Sequence, residues 1–194
     1  MLKKLNLIFN KKLLESAIKN NVSAAIEEDL KNNDKTSDIL PAKIKGIAKI
    51  KVKQNAILCG SPWVDYCFRQ FDKKIQIKWH FNEGSSIKKG ETICTIIGSY
   101  NQILKGERIA INFLQTLSGT ATTSNLISLK IKKFKTKLFD TRKTIPGLRV
   151  AQKYAVQIGG AFNQRFGLYD QVLIKENHIK LVGSISAIIS MAKE

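Results

Sequence analysis

The chain has 194 residues, 43% of them apolar and 25% charged, enough apolar content for one large or two small packed domains and too much for global disorder. No apolar run approaches the ~20 residues of a membrane helix, and the stretch Leu5 to Phe9 is too short, and lacks the cleavage site, for a secretory signal. The net charge of +18 comes from 28 lysines and five arginines against 15 acidic residues.

Such a basic chain attracts anions in general. Its lysines are spread along the sequence without interleaved aromatics, so no stacking platform for nucleic acid is expected, and no membrane partner either. A basic nucleic-acid binder is therefore the weakest of the function classes. If drift has exchanged Arg for Lys wherever geometry is indifferent, Arg69, Arg108, Arg142, Arg149 and Arg165 become informative, because only Arg offers a planar fork to a carboxylate or phosphate. Cys59, Cys67 and Cys94 are odd in number and have no zinc-ligand spacing. They read as buried thiols of a cytoplasmic protein.

Apolar periodicity predicts one or two helices over residues 10 to 31, closed by the polar turn Asn32-Asn33-Asp34. Gly46 to Val52 alternates and predicts a half-buried strand, and Ala56 to Cys59 continues that sheet. Ser61-Pro62 starts a helix, with Ser as N-cap and Val64, Cys67, Phe68 and Phe71 as its apolar stripe. Ile75, Ile77, Trp79 and Phe81 form a strand, which a glycine-rich turn from Asn82 to Glu91 links to another over Thr92 to Ile97.

From Gly106 the pattern becomes a buried helix, interrupted at Ser118-Gly119 and resuming to about Lys133. A strand over Lys137 to Asp140, a helix over Leu148 to Val156 ending at Gly159-Gly160, a strand over Asp170 to Glu176 and a helix over Ser186 to Lys193 complete the chain. The order strand, loop, helix, strand predicts parallel β/α units after an α+β half. The expected domains are thus 1–105, an N-terminal α/β sandwich, and 106–194, the first part of an α/β barrel.

In a β/α barrel the active site lies at the carboxyl ends of the strands. Arg142 and Lys143 follow the first predicted strand, Lys175 closes the second and Arg165 precedes it, so these cations converge on one mouth. A bound anion carrying carboxylates or phosphates would balance them. An alternative remains open at this point, namely that Arg142 and Arg165 form ordinary ion pairs with Asp140 and Asp170.

These segments carry a resemblance. Asp140-Thr-Arg-Lys-Thr-Ile-Pro-Gly-Leu-Arg149, Lys153-Tyr-Ala-Val156, Gly159-Gly-Ala-Phe-Asn-Gln-Arg165, Gly167-Leu-Tyr-Asp170 and Leu173-Ile-Lys-Glu-Asn-His178 resemble quinolinate phosphoribosyltransferase, also called nicotinate-nucleotide pyrophosphorylase (carboxylating). Upstream, Gly106 to Gly119 is similar to the family's Arg-bearing helix, Glu28-Asp29-Leu30 with Asp34-Lys-Thr36 to its N-terminal signature, and Glu83-Gly84 to Gly90 to its hammerhead turn.

The resemblance implies a homodimer of two-domain subunits acting in the cytoplasm in NAD biosynthesis. It implies transfer of a phosphoribosyl group from 5-phosphoribosyl-1-pyrophosphate to quinolinate with Mg2+, giving nicotinate mononucleotide, pyrophosphate and CO2. It places Thr141, Arg142, Lys143, Arg165 and Lys175 in the substrate pocket, Lys143 and Lys175 as the catalytic cations, and brings Arg108 into the partner subunit's pocket. Glu107 and Asp140 would orient neighbouring arginines. Gln164 replaces the family's His, and His178 orders the loop after Lys175. Two further departures are Ala151-Gln152 for Leu-Glu and Lys31-Asn32-Asn33 for a Gly-rich stretch.

The expected strands stop after two, before the family's later carboxylates and phosphate loops, so no metal ligand is identified in this chain. A C-terminally shortened enzyme is the main reading. The alternatives are a non-catalytic remnant, one piece of a split enzyme, or the molybdenum-transport-associated relative of the same family.

Overall fold

Leu14, Ile18 and Val22 recur every fourth residue, and burying that stripe draws Lys11–Leu30 into one helix, α1, of 20 residues. Asn10 caps it, its side chain accepting from the Lys12 N–H. The computed structural model describes residues 10–31, 34–36 and 44–193. The opening segment and the Asn32-Asn33 part of the predicted turn lie outside the described residues. The later elements are β1 (Lys45–Lys51), β2 (Ala56–Ile57), α2 (Ser61–Phe71), β3 (Gln76–Trp79), β4 (Ser86–Ile87), β5 (Thr92–Ser99), α3 (Tyr100–Ile131), α4 (Arg149–Ile158), α5 (Glu176–Val182) and α6 (Ile185–Met191).

Two antiparallel sheets form, β1-β5-β3 and the small pair β2-β4. Ala56 to Cys59 therefore does not extend the main sheet as the alternation suggested. Ala56 and Ile57 pair instead with Ile87 and Ser86 of β4, and Leu58 continues the bonding to Ser85 and Gly84. One face of the three-stranded sheet is solvated, which leaves Ile47 exposed beside Lys45, Lys49 and Lys51. Trp63, Val64, Cys67 and Phe68 of α2 are fully buried in the core, where a side chain such as Val64 or Phe68 contributes about 1.5–3 kcal/mol by leaving water. The three thiols are free and buried, and burial pushes Cys67 and Cys94 up to about 12.

The start of α2 differs from expectation. Its N-cap is Gly60 at φ 112°, a left-handed conformation that suits Gly, and Ser61 is its first helical residue. No side chain of the helix caps it. The acceptor comes instead from the glycine-rich turn, as described below.

α3 is the largest departure. It runs unbroken for 32 residues through the expected interruption at Ser118-Gly119 and through the expected division near residue 105. Ser118 is a docking residue rather than a breaker. Its hydroxyl donates to the Cys59 carbonyl and accepts from the Cys59 N–H, both at 3.0 Å. α4 packs against α3 at Gly159, where an added Cβ would lie 2.3 Å from the Ala121 carbonyl oxygen and 2.7 Å from Ser124 Cβ. The atom in the way is backbone, so Gly159→Ala should force the two helices apart. The expected loss is about 1–3 kcal/mol in urea unfolding, and a loss below 0.5 kcal/mol would show that the contact yields easily.

Beyond α3 the expected parallel strands are barely formed. Lys137 to Asp140 is reduced to a single parallel bridge, Phe139 to Phe162, with Asp140 N–H donating to the Phe162 carbonyl at 3.0 Å. The segment expected as a strand from Asp170 to Glu176 is irregular chain over residues 170–175, and Glu176 opens α5. A strand exists only with a ladder partner, and none flanks residues 170–175 among the described residues. Leu168, Tyr169, Val172 and Leu181 are accordingly exposed, each above 70%. No helix among the described residues is long and apolar enough to cross a membrane.

Candidate active site

Asp140 ends the first barrel segment and is held on every side. Its Oδ1 accepts from Lys153 Nζ at 2.6 Å and from the Gln164 N–H at 2.8 Å, and its Oδ2 accepts from Asn163 Nδ2 at 2.6 Å. Lys153 also donates to the Gln164 carbonyl at 2.9 Å and lies over the Phe166 ring. The ion pair is almost dry, with side-chain exposures of 0% for Lys153 and 7% for Asp140. Asp140 thus pairs with a lysine of α4, not with an arginine as anticipated.

Arg149 stands one helical turn before Lys153 on α4 and clamps the same two segments. Its Nη1 donates to the Phe166 carbonyl at 3.0 Å, its Nη2 to the Arg142 carbonyl at 3.4 Å and its Nε to Thr144 Oγ1 at 3.3 Å. Thr141 Oγ1 accepts from the Lys143 N–H, which closes a local turn. Thr141, Arg142 and Lys143 are therefore presented beside Gln164 and Arg165 on two segments stitched together beneath them.

Neither candidate arginine has the carboxylate partner that the alternative reading required. Among the described residues the ion pairs are Lys11–Glu15 and Lys153–Asp140. Asp170 accepts from the Phe166 N–H. Arg165 is buried and donates to the Gln171 carbonyl at 2.9 Å, leaving most of its donors for another acceptor. Arg142 is half-buried, and its Nε is wholly withdrawn from solvent without a hydrogen-bond partner. Arg165, almost fully buried, and Arg142, with its buried and unpartnered Nε, are thus two guanidinium groups that keep donors free for an acceptor.

The other expected residues lie apart. Arg108 is exposed on α3 and Lys175 is exposed just before α5; among the described residues no hydrogen bond or ion pair ties either side chain to the two segments. His178 caps α5, its Nδ1 accepting from the Lys175 N–H at 2.9 Å. Gln164 is fixed through its backbone, which bonds to Asp140 and Lys153, and its side chain is half-buried. Glu107 is exposed. No group of three or more His, Cys, Asp or Glu residues is disposed to hold a metal ion among the described residues. The two carboxylates on these segments, Asp140 with three donors and Asp170 with the Phe166 N–H, form no ligand cluster for Mg2+ among the described residues.

A second buried network involves Tyr154, the residue after Lys153 on α4. Glu83, 9% exposed, accepts from the Gly60 N–H at 2.6 Å, the Ser61 N–H at 3.0 Å, the Ser61 hydroxyl at 2.5 Å and the Tyr154 hydroxyl at 3.1 Å. It caps α2 from outside and anchors α4 to the sandwich. Burial pushes its carboxyl above the usual range, against the pull of those hydrogen bonds, and burial pushes the Tyr154 hydroxyl up as well. Glu83, Arg149 and Lys153 appear within recognisable motifs, yet their roles were missed. The one available signal is the four-residue spacing of Arg149 and Lys153, which puts both cations on one face of a helix.

The family model described as the N-terminal domain of quinolinate phosphoribosyl transferase covers residues 34–118, and the one for its C-terminal domain covers 120–194. The chain belongs to the quinolinate phosphoribosyltransferase family. A probable nicotinate-nucleotide pyrophosphorylase [carboxylating] of Bacillus subtilis is 38% identical over 167 residues, which is 86% of this chain and 58% of that protein. One from Synechocystis is 34% identical, covering 87% of this chain and 57% of that protein. The solved nicotinate-nucleotide pyrophosphorylase of Francisella tularensis is 41% identical with a TM-score of 0.88, over 92% of this chain and 63% of that one. The chain therefore spans 57–63% of the length of these three proteins. The two family domains meet at residues 118–120, inside α3.

Proposed function

We propose that this chain binds quinolinate and acts in its phosphoribosyl transfer, forming nicotinate mononucleotide, pyrophosphate and CO2 from quinolinate and 5-phosphoribosyl-1-pyrophosphate. The observation that carries the reading is the pair Arg142 and Arg165, the first with a buried, unpartnered Nε and the second buried with one carbonyl acceptor, neither with a carboxylate partner. A compact dianion suits them better than a neutral ligand does. Thr141, Lys143 and Lys175 complete the cationic set for the carboxylates and the phosphoribosyl phosphates, and Gln164 offers an uncharged donor beside Arg165.

The chemistry asks little of side-chain nucleophiles. The ring nitrogen displaces pyrophosphate from the anomeric carbon through an oxocarbenium-like state, so alignment and charge stabilisation supply the acceleration. Lys143 and Lys175 would neutralise charge gathering on the departing pyrophosphate. As the adjacent carboxylate leaves as CO2, the electron pair of the broken bond stays on the ring carbon as an ylide that the neighbouring pyridinium nitrogen stabilises, and that carbon then takes up a proton. Mg2+ belongs to the proposal as a companion of the pyrophosphate group, and no step above is routed through it. Arg108, exposed on α3, is the residue we assign to a partner subunit's pocket in a homodimer acting in the cytoplasm.

The test is to incubate the chain with quinolinate, 5-phosphoribosyl-1-pyrophosphate and Mg2+, assay nicotinate mononucleotide, and titrate quinolinate by calorimetry. Product formed by the chain and lost in Arg142→Ala supports the whole reading. Quinolinate binding without product supports the pocket and moves the transfer step to residues outside this chain. No quinolinate binding at millimolar concentration overturns the proposal.

A further inference from the structure

Lys153 presents a physical puzzle. A buried ion pair rarely stabilises a fold more than two well-packed apolar side chains would, and removing one partner is severe. Yet Lys153 is 1% exposed, and Asp140 uses three donors to stay inside with it. What an apolar pair cannot do is fix direction. The single ammonium group of Lys153 reaches Asp140 Oδ1 and the Gln164 carbonyl together, and the Gln164 N–H returns to the same Asp140 oxygen. Two backbone segments that share only one parallel bridge are thereby locked at one spacing.

We propose that the Asp140–Lys153 pair is a positioning device that sets the separation of Arg142 from Arg165. Arg142 lies two residues beyond Asp140, and Arg165 follows Gln164 directly. The pair touches no substrate and acts through the two arginines. Two guanidinium groups gripping one small rigid dianion tolerate little error, because misplacement of about 1 Å already costs orders of magnitude in a positioned site. Arg149 reinforces the same spacing from the preceding turn of α4. The proposal rests on the reading of this site as a quinolinate pocket, although the locking itself is a property of the backbone and is measurable without the ligand.

The experiment compares the chain with Lys153→Met, Asp140→Asn and the double variant. Each single change strands a buried charge and should lower Tm strongly. The double change removes both charges and should recover most of the Tm. Its quinolinate Kd should nevertheless stay at least tenfold weaker than the parent's. Amide exchange at residues 141–144 and 163–166 should be at least tenfold faster, with α2 and the main sheet unchanged. A merely structural pair would recover affinity along with Tm, so binding and exchange within twofold of the parent in the double variant overturn the proposal.

Lys153→Arg gives a second arm should the double variant fail to fold. It keeps the charge but replaces the single ammonium with a wider fork. A near-parental Tm with at least tenfold weaker binding and faster exchange at the two segments supports positioning, and unchanged binding with unchanged exchange overturns it. If the parent itself does not bind quinolinate, the functional reading falls, and the exchange rates alone decide whether the pair locks the segments.

Discussion

Glu83→Ala should lower the unfolding free energy by about 4 kcal/mol, because it strands the Gly60 and Ser61 N–H groups and the Tyr154 hydroxyl in a dry interior at ~1–3 kcal/mol each. That is a large share of the 5–15 kcal/mol typical of a domain. It should also melt α2 and the docking of α4 together, since one carboxylate caps the first and anchors the second. Urea unfolding at pH 7 tests it, and a loss below 1 kcal/mol would show that water replaces the carboxylate without penalty. Glu83→Gln keeps an acceptor and should cost about half as much.

The pH dependence has a definite sign. Burial raises the Glu83 carboxyl above its unfolded value, so between those two values the folded chain holds the proton more tightly. The contribution of Glu83 to stability is therefore fullest below the unfolded pKa and declines as pH rises through that window. Glu83→Gln should flatten this slope. Tm measured from pH 4 upward in both proteins checks it, and a parent Tm rising more steeply across the window than that of Glu83→Gln would contradict the direction.

Arg142→Lys should weaken quinolinate binding about 10- to 100-fold, equivalent to losing one charge-assisted hydrogen bond at ~1.5–3 kcal/mol. Its Tm should move by less than about 2 °C, because the guanidinium Nε has no partner inside the protein. Arg165→Lys should behave differently. That guanidinium is buried and donates to the Gln171 carbonyl, so affinity and Tm should fall together. Calorimetric titration beside thermal melts separates the two. Equal Tm losses in both variants would mean that Arg142 is a structural residue and the anion site lies elsewhere.

Much of the sandwich was legible because its signals are local. The alternation at Gly46–Val52 and the stripe Val64, Cys67, Phe68 each follow from burying one face, and the structure places both as read. Ser118-Gly119 misled because a polar-small pair breaks a lone helix, whereas here the Ser118 hydroxyl is satisfied by Cys59, 59 residues away in sequence. The strand expected at 170–176 failed for the opposite reason. Its Val-Leu-Ile run has the right composition, but a strand is a relation between two segments. At the site, Arg142 and Arg165 were visible through their scarcity. The Asp140–Lys153 pair was not, since composition favours pairing Asp140 with the nearest arginine, and only the turn of α4 brings Lys153 underneath.

The continuity of α3 has a mechanical consequence. A helix of 32 residues is a strut about 48 Å long, and the two family domains share it without a flexible joint. Arg108 sits about 20 Å along the axis from Ala121, where Gly159 locks α4 in place. Relative motion of the two halves would have to bend that rod or shear it past Gly159. The reach of Arg108 is thus set as by a ruler, and a one-residue insertion or deletion between positions 108 and 121 would swing the arginine about 100° around the axis while leaving both ends of the strut folded.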